Sequence, residues 1–208
     1  MSLKPMKAGW CFFLVWTIAT FFGVLVGFLV FFIGESFLGE SSGPHANNSF
    51  VSVSLGLLIF VITFGLVTGI AQWFVLRRYV PRTAFWICAT LLGFLISSPA
   101  LLNTGGGFGP YIAPSASLIM TTAFGGALGI MQYLVIRKQV NKPALWIGIS
   151  LSSWVIAGVI GIALRIQSYQ MGPIYYWLGV FFFGIVFTAV GMALWLKQPG
   201  VPPNLPTG

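Results

Sequence analysis

Two glutamines, Gln72 and Gln132, stand sixty positions apart inside strongly apolar segments, each five residues ahead of a basic pair, Arg77-Arg78 and Arg137-Lys138. Five helical residues rise about 7.5 Å, so each amide falls within its apolar stretch rather than at its end. A carboxamide in an apolar medium requires hydrogen-bond partners. Two chemistries meet that requirement. The amide can clamp neighbouring helices, at about 1 kcal/mol per contact. Alternatively its oxygen can line a site and hold a ligand, up to a magnesium-centred pigment ligated by glutamine in place of histidine. Both readings are open on the sequence.

The groups that most active sites need are missing from the apolar segments. There is no Asp in the 208 residues, the acids are Glu35 and Glu40, and the single histidine is His45. A carboxylate relay, a histidine-ligated haem, a zinc site within the membrane and a Ser-His-Asp triad all lack their residues, so the chain reads as no enzyme, with no haem or metal expected. Cys11 and Cys88 have neither a CxxC partner nor ligand spacing and read as small buried hydrophobes. The run Gly105-Gly106-Gly107-Phe108-Gly109 has no following Lys-Ser/Thr and reads as a loop, not a phosphate cradle.

The elements that position these residues follow from composition. Hydrophobic residues make up 58 % and charged residues 6 %, against about 25 % charged in a soluble domain, and the mean hydropathy is +0.97. A soluble fold is excluded on that count. Ten Lys and Arg give a net charge of +8, but they sit at the ends of apolar runs, which fits a bilayer and no nucleic-acid partner. Six stretches reach spanning length: Ala8 to Ile33, Ser52 to Leu76, Ala84 to Leu102, Ser115 to Ile136, Ala144 to Leu164 and Ile174 to Leu196. The first is too long for a secretory core and lacks a cleavage site, so it reads as a span.

Lys4, Lys7, Arg77, Arg78, Arg82, Arg137, Lys138, Lys142 and Lys197 then share one side, which the positive-inside rule makes cytoplasmic together with both termini. Residues 1–196 form one transmembrane domain, and 197–208 a proline-rich cytoplasmic tail. The loops Gly34 to Phe50 and Asn103 to Pro114 lie outside, and Asn47-Asn48-Ser49 matches a glycosylation sequon by chance pattern alone. Pro99 and Pro110 fall at helix ends.

Gly69-Ile70-Ala71-Gln72-Trp73-Phe74-Val75-Leu76-Arg77-Arg78 recurs as Gly129-Ile130-Met131-Gln132-Tyr133-Leu134-Val135-Ile136-Arg137-Lys138, and Ala84, Trp86 and Ile87 pair with Ala144, Trp146 and Ile147. Trp16-Thr17-Ile18-Ala19-Thr20 parallels Trp86-Ile87-Cys88-Ala89-Thr90. The expected fold is all-α, six transmembrane helices as three repeated hairpins at about 8–76, 84–136 and 144–196. The third copy is degenerate, with Gly191, Leu194, Trp195 and one Lys197. The pattern resembles a group of bacterial polytopic membrane proteins built from Gln-Trp-x-x-Leu-Arg-Arg hairpins followed by Trp-x-x-Ala-x-x-x-Gly; Tyr133 and Ser153 depart from it. The resemblance implies an inner-membrane location and brings no activity, cofactor or catalytic residue.

Gly23 and Gly27, Gly65 and Gly69, and Gly125 and Gly129 are four apart and read as helix-packing seams, or as room for a flat ligand. Arg77, Arg78, Arg82, Arg137, Lys138 and Lys142 suit anionic headgroups or an acidic partner surface. Arg165, on the outer side, snorkels or pairs with Glu35 or Glu40. Trp10, Trp73, Trp86, Trp146, Trp177 and Trp195 near span ends read as an interfacial belt, and Phe31-Phe32 and Phe181-Phe182-Phe183 as lipid- or partner-facing. The expectation is a non-catalytic accessory or scaffold subunit of a larger membrane complex, respiratory or photosynthetic. Its partners would be membrane lipids and other membrane subunits, and lipid, pigment or carotenoid its bound groups. The alternative is a small repeat-built transporter or channel.

Overall fold

The computed structural model describes residues 10–40, 49–80, 83–103, 114–140, 142–167 and 173–196. They form six α-helices and, among the described residues, no strand: α1 (Trp10–Glu40), α2 (Ser49–Leu76), α3 (Phe85–Asn103), α4 (Pro114–Ile136), α5 (Leu145–Gln167) and α6 (Pro173–Leu196). Five are long and apolar enough to cross a bilayer, which makes this an integral membrane protein; in α3 the described apolar stretch, Phe85–Pro99, is shorter. His45, Arg82, Asn47-Asn48, the Gly105–Gly109 run, Pro110 and the tail 197–208 lie outside the described residues.

At the first expected outer loop, two helices run past the boundaries the sequence suggested. α1 continues to Glu40 and α2 begins at Ser49, so most of the expected outer loop is helix. At about 1.5 Å per residue, the 31 residues of α1 span about 46 Å against a hydrocarbon core of about 30 Å. Pro99 is within α3 rather than at its end. Its missing N–H frees the carbonyl of Leu95, and the Ser98 hydroxyl donates to that carbonyl at 2.8 Å. The helix therefore continues for four more residues to Asn103.

Each helix packs on its chain neighbours, and α1 packs on α6, so the six close into a ring. Close approaches show the antiparallel order. A Cβ on Gly65 would stand 3.0 Å from Leu91 Cα, and one on Gly69 3.0 Å from Ile87 Cα, so moving up α2 moves down α3. The same holds for Gly125 and Gly129 against Leu151 and Ile147 of α5, at 3.0 and 3.1 Å, and for Gly23 and Gly27 against Thr68 and Phe64 of α2. At these six positions a side chain would separate helices that touch through backbone.

Both faces of every helix are apolar, so hydrophobicity does not decide which face turns inward. Size and polarity do. α1 sends Leu14, Ile18, Phe22, Leu25 and Leu29 outward and Trp16, Thr20, Gly23, Val24 and Gly27 inward. Lipid solvates large aliphatic side chains as well as protein does, whereas hydroxyls, amides and indole N–H groups find partners only inside, and small residues let backbones meet.

This sorting corrects three expectations. Cys11 and Cys88 are exposed on the outer surface: small thiols bring nothing to an interior that selects for hydrogen bonds. Trp86 and Trp146 are 0 % exposed and Trp195 is buried, so none is in an interfacial belt, while Trp10 is 78 % exposed. Phe181 is buried in the ring, and of its run only Phe182 is well exposed.

Candidate functional site

The interior is layered along the ring axis. At the end carrying Arg77 and Arg137, the indoles of Trp16, Trp86 and Trp146 come together, Trp16 from the second turn of α1 and the other two from the first turns of α3 and α5. Trp16 and Trp86 lie 6.0 Å apart between centroids, and Trp86 and Trp146 5.8 Å. Toward the other end, one aromatic ring from each of α2 to α6 joins a closed cycle. Phe64 meets Phe94 at 4.5 Å, Phe94 meets Phe124 at 5.4 Å, Phe124 meets Trp154 at 5.9 Å, Trp154 meets Phe181 at 5.4 Å, and Phe181 returns to Phe64 at 5.2 Å. Several of these contacts are edge-to-face, the arrangement that ring quadrupoles favour. Val24 of α1 packs in the same cluster. The axis is filled at this level by rings.

Between the two aromatic levels is a polar layer built on Gln72 and Gln132, both buried. Trp86 Nε1 donates to Gln72 Oε1 at 2.9 Å, and Trp146 Nε1 donates to Gln132 Oε1 at 3.1 Å. Each bond joins a glutamine to the indole fourteen residues later. The amide nitrogens then reach back. Gln72 Nε2 donates to Thr20 Oγ1 at 3.3 Å and Gln132 Nε2 to Thr90 Oγ1 at 3.0 Å. A long contact of 3.5 Å from Gln132 Nε2 to Gln72 Oε1 connects the two halves. Ser150 Oγ donates to the Gly125 carbonyl at 2.9 Å, between α5 and α4. The five helices α1 to α5 are thus bonded by side chains at one depth.

These groups are amides, hydroxyls and indoles. None takes up or releases a proton near neutral pH. Their geometry gives directional attachment between helices, and the carboxamide oxygens that sequence left open to a ligand accept from Trp86 and Trp146. Sequence reasoning picked out the glutamines and placed Trp86 and Trp146 at the membrane surface. It passed over Thr20, Thr90 and Ser150. The signal available was register: Gln followed by Trp at the fourteenth position, then a hydroxyl four further on, occurs twice, as Gln72, Trp86, Thr90 and Gln132, Trp146, Ser150.

The six glycines singled out in sequence lie on the α1–α2, α2–α3 and α4–α5 contacts, and three of them adjoin the polar layer: the Gly125 carbonyl accepts from Ser150, Gly129 stands against Ser150 and Gly69 against Thr90. Among the basic residues, Arg77, Arg78, Arg137, Lys138 and Lys142 are exposed at one end of the ring. They are not brought to the glutamines. The Arg77 guanidinium folds back over Phe74 and Trp73, 4.5 and 5.0 Å from the ring centroids, which keeps its charge at the rim. Lys142 holds a positive φ of 50° in the turn before α5. No family model matches the chain, and no curated protein or solved structure matches it.

Proposed function

We propose that this chain is a non-catalytic accessory or scaffold subunit of a larger membrane assembly, respiratory or photosynthetic, in a bacterial inner membrane. The observation that carries the reading is the use of the interior. Gln72 and Gln132, the buried polar groups best suited to a pathway or ligand, are hydrogen-bonded to Trp86, Trp146, Thr20 and Thr90, and aromatic side chains fill the axis on both sides of them. Such an interior supports a rigid body that offers its outer surface to others.

In this reading the fold is three copies of one hairpin, with both termini in the cytoplasm. The sixty-residue recurrence of the Trp-to-Gln bond supports the duplication, as does the likeness to membrane proteins built from Gln-Trp-x-x-Leu-Arg-Arg hairpins. The basic rim of Arg77, Arg78, Arg137 and Lys138 then faces anionic headgroups, at about 1 kcal/mol per charge near an anionic leaflet. The outer apolar surface meets lipid and neighbouring subunits, and a lipid tail, pigment or carotenoid bound to this protein would lie there.

Proteoliposome flux tests the reading. A sealed axis predicts that vesicles holding the purified chain leak small ions and polar solutes no faster than empty ones. Flux that appears with the wild type and disappears with Gln72→Leu and Gln132→Leu would instead establish the transporter reading. That second reading has one observation in its favour, a small cavity within the polar layer.

A further inference from the structure

The polar layer is incomplete where α6 meets α1, and a cavity lies within the layer, lined from all six helices. Gln72 and Gln132 each accept from the tryptophan of the next helix. Sixty positions beyond Gln132, on α6, stands Met192. It is fully buried in one cluster with Trp16 of α1, the helix that closes the ring against α6. A thioether is a weak acceptor. Trp16 is 1 % exposed, and its Nε1 has no hydrogen-bond partner. Thr68, 2 % exposed, likewise has an unpartnered hydroxyl.

Both residues line the same cavity, of about 30 Å³. A water needs about 10–15 Å³ of such volume and two to four polar partners, so the space holds one or two and nothing much larger. No cationic side chain lines it. An anion buried there would lack a counter-charge, at a desolvation cost that neutral donors do not offset.

We infer that this cavity is a binding site for resident water, which accepts from the Trp16 indole N–H and hydrogen-bonds the Thr68 hydroxyl in the place that a third glutamine would fill. Thr188 adds a further acceptor to the lining: its hydroxyl hydrogen goes to the Gly184 carbonyl at 2.6 Å, which leaves oxygen lone pairs for the water. The water makes the third arm of the layer exchangeable, where the other two are closed by side chains. The α1–α6 contact is therefore the joint of the ring whose polar attachment can come and go without breaking a protein–protein hydrogen bond.

The test uses the full chain in bilayers with ¹⁵N-indole tryptophan, reading magnetisation transfer from water to each indole proton. Trp16→Phe assigns the Trp16 signal. Trp16 is expected to show direct transfer, with Trp86, bonded to glutamine and outside the cavity lining, as an internal control at least fivefold weaker. In Met192→Gln, a direct acceptor displaces the water and the Trp16 transfer falls to the level of the control. A Trp16 indole proton with no more water transfer than Trp86 in the wild type would overturn the site. Transfer that persists undiminished in Met192→Gln would overturn the assignment of the water to the third arm.

Discussion

Replacing Gln72 with leucine keeps the side-chain volume nearly constant and removes three contacts: the 2.9 Å bond from Trp86, the 3.3 Å bond to Thr20 and the 3.5 Å contact from Gln132. Hydrogen bonds between membrane helices are worth about 0.6 kcal/mol on average and up to about 1.7. The short indole bond belongs near the upper half of that range and the two long contacts near the bottom, for a total of about 2 kcal/mol. Unfolding the purified protein in mixed micelles with a denaturing detergent, followed by helicity, measures the loss. A double-mutant cycle isolates the decisive bond. Gln72→Leu and Trp86→Phe should couple by about 1 kcal/mol, because either change alone removes the same hydrogen bond. Gln72→Leu and Trp146→Phe should couple by no more than about 0.3 kcal/mol, since Trp146 donates to Gln132. Equal coupling in the two cycles would refute the claim that the layer is a set of specific pairs.

Further outcomes follow from the same geometry. Gly125→Ala puts a methyl 3.0 Å from Leu151 Cα and the Ser150 carbonyl and should destabilise by about 1–3 kcal/mol, whereas Gly148→Ala, with nothing within 4 Å, should stabilise by about 0.5–1 kcal/mol; thermal unfolding of both in one detergent checks the contrast. Ser98→Ala uncovers the Leu95 carbonyl beside Pro99 and should cost about 1 kcal/mol, with faster amide exchange confined to the last turn of α3. Cys11→Leu and Cys88→Leu enlarge side chains exposed on the outer surface and should each change stability by no more than about 0.5 kcal/mol in thermal unfolding; a loss of about 1–3 kcal/mol, the cost of overpacking an interior, would contradict their placement.

The six helices, the α-helical class and the burial of Gln72 and Gln132 were legible because each rests on a strong local signal, although only five of the helices reach spanning length among the described residues. A run of about 20 apolar residues has few other uses, and an amide within one has to be satisfied. The inward face of each helix was less so. Trp86 and Trp146 near the first turn of an apolar helix suit the headgroup region as well as a ring interior, and only the partner oxygens of Gln72 and Gln132, on other helices, decide between them. Cys11 and Cys88 were misplaced for a related reason. The habit of burying thiols comes from water-solvated proteins, and in lipid the outer surface suits them equally. α1 outran its apolar core because backbone hydrogen bonding in a helix does not stop where an apolar run stops. The aromatic cycle went unread although Phe64, Phe94, Phe124 and Trp154 stand thirty residues apart, half the sixty-residue repeat; Phe181, twenty-seven further on, breaks the period, and the rings meet only when the helices close.

Whether the chain serves a larger assembly is settled most directly by its size in its own membrane. Mild-detergent extraction of native membranes, native gel separation, mass spectrometry of the band and its absorption spectrum together give that size, the partners and any pigment. The account predicts a band well above the 22.5 kDa chain with its detergent, holding other membrane subunits in fixed ratio. A species of one chain alone, under conditions that keep known complexes of the same membrane intact, would contradict it.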